Sequence, residues 1–333
     1  MTVPITRRGV LAGAALAAWG VLGSAVRAQE VRHWWRQTAP PPTPVAVVRT
    51  GDRASGIQQA VALLGDHVVA GKDVLLIPDL ESRTAYPFTT HLETLLHLSR
   101  TLWGARAESV TIGAQSSREP TKEVLAALKL PQHLEEIEAR LVNLEEAAYN
   151  DWRPVATTGG QWRQGFHLPR QVLDSPCVVT TCQLRAEQTI DLAMSLWLVT
   201  NLLPKREVLD RVELQQSPHP GRLIAELNQG YHPSLIVVDG VEAVVEPTLP
   251  RVNRSAGLIL AGTDRVAVDA VGAAALTLLG ADLGGRIFDL EQIAWGLILR
   301  VGINRPSQIK LVAAADSDSR RFAGQLSEQL ARG

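Results

Sequence analysis

Sulfur is scarce in this chain: its 333 residues include two cysteines, Cys177 and Cys182, and two methionines. Two cysteines cannot ligate a four-cysteine iron–sulfur cluster, so no intrachain cluster is expected. They sit five apart in SPCVVTTC, which reads as strand. That spacing separates them by roughly 16 Å along a straight strand, well beyond the ~7 Å between Cα atoms that a disulfide tolerates. A surplus of charge is also missing. The formal net charge is -1, and without a basic face nucleic acid is not an expected partner. There is no internal repeat, which excludes a solenoid or propeller. No His/Asp spacing is diagnostic of a metal site, so the cofactor, metal included, stays unassigned.

The longest apolar run is N-terminal. Thr6-Arg7-Arg8-Gly9-Val10-Leu11 places paired arginines before a Gly/Ala/Leu-rich stretch, and Val26-Arg27-Ala28 offers compact residues for cleavage. This pattern resembles a twin-arginine signal peptide over residues 1–28. It implies the twin-arginine translocase as a partner, export of the folded chain to the periplasm or beyond, and no stable membrane span after cleavage. Residues 29–44 follow as a Pro-rich linker containing Trp34 and Trp35, a semi-rigid extended spacer.

From Val45 on, apolar runs of strand length alternate with helical patterns. Strands are expected at Val45–Arg49, Lys72–Asp79, Val110–Gly113, Leu141–Leu144, Cys177–Cys182, Leu235–Gly240, Leu258–Ala261 and Ile309–Val312. Helices are expected near Ser55–Leu64, His91–Trp103, Thr121–Leu128, Leu134–Arg140, Ile190–Leu203, Pro220–Asn228, Val266–Leu279 and Leu290–Leu299. This alternation predicts a single α/β domain over 45–333, a mainly parallel sheet covered by helices on both faces. Residues 150–170, with Trp152, Trp162 and Gly159-Gly160, read as an antiparallel excursion.

The chemistry-bearing stretch is Ala256–Gly280. A short apolar strand leads into Gly262-Thr263-Asp264, where the Asp can cap a helix. The helix that follows is apolar almost all round, apart from Asp269. A buried carboxylate must be paired, hydrogen-bonded or protonated, which makes Asp269 a candidate. Ligands of open α/β sheets bind beyond the carboxyl ends of the strands. That rule picks out Asp79, Ser116, Ser117, Arg185, Asp239 and Asp264.

Several of these residues fall on motifs of one family. The chain has V-L-L-I-P-D, then Thr89-Thr90-His91-Leu92-Glu93, V-T-I-G, His219, the Leu-Ile-Val-Val-Asp-Gly strand, and Asp264-Arg265-Val266-Ala267-Val268-Asp269. Over about Val45 to Val312 it resembles the uncharacterised-domain family numbered 362, whose members are often exported by the twin-arginine route or fused to ferredoxin-like cluster domains. The resemblance implies a redox partner subunit. It also exposes departures: Ile77-Pro78-Asp79 stands where the family has Lys-Pro-Asn, Arg185-Ala186-Glu187 where it has Lys-Thr-His, and the apolar Trp197-Leu198 where it has Lys-Asn. Val244-Val245-Glu246-Pro247 replaces a Gly-Pro pair. If the family's lysines bind an anion, Arg185 alone remains to do it, and a guanidinium grips an anion well but hardly deprotonates.

Two functions stay open. The first is an exported, divergent, non-catalytic member that binds a small anionic ligand or a redox partner through Arg185, Thr90, His219 and Ser116. The alternative is an enzyme in which Asp239, Asp264 and Asp269 close around one polar hollow with His91 or His219, as acid and base or as a divalent-metal site.

Overall fold

The computed structural model describes residues 42–333 except 157–159, 163–164, 206–213, 215 and 249–251. The expected signal peptide and nearly all of the linker lie outside the described residues. Residues 42–333 form one compact unit.

The order begins with β1 (Thr43–Arg49) and α1 (Arg53–Leu64), whose N-terminus is capped by Asp52, its side chain accepting from Ala54 N. Next come β2 (Asp73–Pro78), α2 (Leu92–Gly104), β3 (Ser109–Ala114), α3 (Thr121–Ala127) and β4 (Arg140–Asn143). The excursion is an antiparallel pair, β5 (Trp152–Val155) and β6 (Phe166–Pro169), and leads through α4 (Arg170–Asp174) to β7 (Cys177–Glu187) and β8 (Asp191–Leu192). The chain ends with α5 (Pro220–Leu227), β9 (Leu235–Glu246), β10 (Val252–Gly262), α6 (Arg265–Leu278), α7 (Glu291–Leu299), β11 (Ile309–Ala313) and α8 (Ser317–Arg332).

The main sheet has nine strands in the order β11-β1-β10-β9-β7-β2-β3-β4, with β8 paired to β7. β9, β7, β2, β3 and β4 are mutually parallel, and β1 is parallel to β11. β10 is antiparallel to both its neighbours, β1 and β9. The chain is therefore an α/β protein with a mostly parallel sheet. Strands buried on both faces suit the near-continuous apolar runs of the sequence. One face packs against α5, α6, α7 and α8, the other against α1, α2 and α3.

Two expected helices are absent. Ile190–Leu203 forms β8 and a 3-10 turn over Trp197–Leu202. Its polar groups are claimed by distant partners: Ala193 N donates to Arg185 O, and Ser195 N and Leu196 N to Asp269. Such tertiary bonds override helix propensity. Leu134–Arg140 is a series of turns that ends at β4. β7, expected to stop at Cys182, continues to Glu187 and carries Gln183 and Arg185 on one face. Cys177 and Cys182 are free and buried, in the cores on opposite faces of the sheet. An odd separation along a strand places them so.

Candidate functional site

Asp79 leaves β2 at its carboxyl end and is fully buried. Asn201 Nδ2 donates to its Oδ1 at 2.7 Å. With the Gln183 amide oriented to satisfy both its ends, Gln183 Nε2 donates to Asp79 Oδ2 at 2.8 Å and Oε1 accepts from Thr90 N. Arg185 Nη2 lies 3.8 Å from the same carboxylate. Burial pushes the Asp79 carboxyl up to about 6, against the pull of the Arg185 guanidinium.

Arg185 is itself buried, pairs through Nη1 with Glu81, and stacks 5.9 Å from the Phe88 ring. The other oxygen of Glu81 holds Arg118 at 2.7 Å. Two acids and two guanidiniums thus alternate across the rim. A buried charge needs this compensation, and Arg185 already supplies it to Asp79 and Glu81. Arg118, its side chain 64% exposed, keeps donors free for solvent or a ligand. Thr90 and Ser116 brace the same loops: Thr90 Oγ1 donates to Asp79 O, and Ser116 Oγ to Glu81 O, both at 2.9 Å.

Asp239 lies on β9 in register with Gln183 on β7. Its carboxylate accepts from Arg53 Nε at 2.8 Å, Tyr86 OH at 2.9 Å, Thr94 Oγ1 at 2.5 Å and Val241 N at 3.1 Å. Gly240, at the bulge that follows, is required there: a Cβ would meet Leu258 O at 2.9 Å. His91 caps α2, its Nδ1 accepting from Glu93 N, with its ring edge-on to Tyr86 at 5.5 Å. Burial and the nearby Arg53 lower its pKa, which favours the neutral imidazole.

Asp264 and Asp269 lie elsewhere. Asp264 follows β10, the reversed strand, whose Gly262 pairs with Ile236 at the start of β9. Its side chain caps α6 by accepting from Ala267 N at 2.9 Å. Asp269 accepts from Ser195 N at 2.9 Å and Leu196 N at 2.8 Å, and burial raises its carboxyl to about 7. His219 is 62% exposed on its side chain and pairs with Glu291 at 3.0 Å. The expected single hollow of three aspartates is thus corrected. Asp239 stands beside Gln183 near the carboxyl rim, Asp264 is at the opposite rim, and Asp269 is held within one face by backbone amides. The strand-end rule fails for Asp264 because β10 runs backwards relative to β9.

A cavity of about 640 Å³ opens at the Arg118 side of the rim, walled by Arg118, Thr189, Ile190, Trp197, Thr200 and Leu203 among others. Asn201, next to Thr200, links this wall to Asp79, and Gln115 Nε2 links it to β3 by donating to Leu203 O at 2.7 Å. Arg118, Asn201, Gln115, Gln183, Glu81 and Thr200 are the participants that the sequence reading missed. Only Gln183 left a signal, the polar alternation of Gln183 and Arg185 with Leu184 and Ala186 beyond Cys182. Among the described residues no three His, Cys, Asp or Glu side chains group closely enough to hold a metal ion. No helix among them is long and apolar enough to cross a membrane.

Comparison with known proteins finds the model of a family described as "Domain of unknown function (DUF362)" matching residues 74–274, well over half of the chain. That match spans Asp79, Arg185, Asp239 and Asp269. No curated protein matches the chain. A solved structure, the lactate racemase apoprotein from Thermoanaerobacterium thermosaccharolyticum, is similar over 60% of this chain and 50% of that one, at 10% identity and a TM-score of 0.36. This chain spans half the length of that structure.

Proposed function

The chain belongs to the DUF362 family, and on that premise we propose that it is an exported α/β protein that binds a small anionic ligand in the carboxyl-rim cavity without converting it. Support for export comes from Arg7-Arg8 and the apolar run after them. Support for binding without turnover comes from how the acids are used. Asp239 accepts four donors, Asp264 caps a helix, and Asp269 is held by two amides. A carboxylate engaged in this way is poorly placed to take a proton from a substrate.

The observation that carries the reading is Arg118. It lies on the cavity wall, shares Glu81 with the buried Arg185, and its mostly exposed guanidinium has donors to spare. The anion-binding role expected of Arg185 passes to Arg118, with Arg185 fixing Glu81 behind it. Isothermal titration of the full chain with hexanoate, citrate, glucuronate and inorganic phosphate tests this. At least one anion should bind, and Arg118→Ala should weaken it. Absence of binding, or binding indifferent to Arg118→Ala, overturns the reading.

One observation favours an acid–base enzyme instead. Asp79 is buried next to the residues of the cavity wall, with a carboxyl near 6, a value suited to proton transfer near neutrality. Conversion of a bound acid, followed by NMR and abolished by Asp79→Asn, would establish that alternative.

A further inference from the structure

Arg118 is the one charged side chain among the described residues that line the cavity of about 640 Å³. Most of the remaining wall is apolar: Ile190, Trp197, Leu214, Pro218 and Pro220. Trp197 and Pro220 are half-buried and Pro218 is exposed, so these three present apolar surface to whatever enters. Covering such surface with an apolar group releases the water against it and favours binding.

Charge around Arg118 is already balanced. Arg118 Nη2 pairs with Glu81 Oε1 at 2.7 Å, while Glu81 Oε2 is taken by Arg185, which also faces Asp79 at 3.8 Å. Two guanidiniums thus stand against two acids. A ligand with several negative charges would bring most of them to a wall whose described residues hold no further cation, and a desolvated charge without a partner is costly. The part of the Arg118 fork that Glu81 leaves unused fits one carboxylate.

Resting on the reading that the cavity binds an anion, we infer that its ligand is a monocarboxylic acid with an apolar body. Arg118, its side chain 64% exposed, holds the carboxylate at the mouth, and the hydrocarbon lies along Trp197, Pro218 and Pro220. The volume is in the range of cavities that take small organic ligands, about 300–1,000 Å³.

The test is calorimetric titration of the full chain with butanoate, hexanoate, octanoate, octanol, citrate and inorganic phosphate, on the wild type, Arg118→Gln and Trp197→Ala. Burying two methylenes is worth about tenfold in affinity. Octanoate should therefore bind about tenfold tighter than hexanoate, and hexanoate about tenfold tighter than butanoate, with citrate and phosphate weakest. Arg118→Gln should weaken the three aliphatic acids by one common factor and leave octanol unchanged. Trp197→Ala should weaken octanoate more than butanoate. If butanoate binds as tightly as octanoate, if citrate or phosphate binds tighter, or if Trp197→Ala changes nothing, the inference falls and anion binding survives. If no anion binds, or binding is indifferent to Arg118→Gln, the anion-binding reading falls as well. Should Trp197→Ala fail to fold, the wild-type ranking by chain length still decides.

Discussion

Asn201 donates from Nδ2 to Asp79 Oδ1 at 2.7 Å, joining the 3-10 turn after β8 to the exit of β2. The bond ties the cavity wall to the charged rim, and it is one of the contacts that set the Asp79 carboxyl near 6. Asn201→Ala removes a donor from a fully buried carboxylate. It should lower stability by about 1–3 kcal/mol and move the Asp79 carboxyl further up, the first read by urea unfolding and the second by NMR titration.

Asp79 and Asp269 together give the fold a pH dependence. Their folded carboxyls titrate near 6 and 7, whereas an unfolded Asp titrates near 4. Between those values the folded chain holds more protons than the unfolded one. Stability from these two groups therefore decreases as pH rises through that window. Urea midpoints at pH 5, 6.5 and 8 should fall in that order, and Asp269→Asn should flatten the trend.

Asp269→Asn also separates a structural acid from a reacting one. Each carboxylate oxygen accepts a backbone N–H, and an Asn side chain has only one oxygen. One amide then loses its acceptor and faces a donor instead. The variant should be destabilised by about 1–3 kcal/mol, with ligand affinity unchanged in calorimetry of the folded protein.

Tyr86 reaches β9 from the loop before α2: its hydroxyl donates to Asp239 Oδ1 and accepts from Glu242 N at 2.8 Å. Arg53 stacks on its ring at 4.6 Å. Tyr86→Phe keeps the stack and should cost about 1–2 kcal/mol through the lost hydroxyl. Tyr86→Ala loses both contacts, so its thermal midpoint should fall below that of the Phe variant.

Much of the sheet was legible because a strand buried on both faces leaves a continuous apolar run, as at Leu75–Ile77 and Leu235–Val238. Asp79 was legible as a strand-end acid for the same reason, whereas Asp239, read as one too, lies within β9, which continues to Glu246. Strand direction was not legible. Nothing in Leu258–Ala261 says that it runs opposite to Leu235–Val238; that follows from the β9–β10 pairing, and it carries Asp264 to the far rim. The apolar run from Ile190 reads as a helix because buried strand, turn and helix share that pattern over short lengths. What decides it is Asp269 and Asp79, far along the chain. α8 went unread although Asp316 caps it, accepting from Ser319 N at 2.8 Å, and Phe322 and Leu326 share one face.

The two thiols, sealed under opposite sides of one sheet, have a practical consequence. Neither can find the other, and neither is offered to a second chain, so an oxidising compartment leaves both thiols of the native protein reduced. A thiol-reactive label would therefore stay silent on intact molecules and report only those whose central strands have parted.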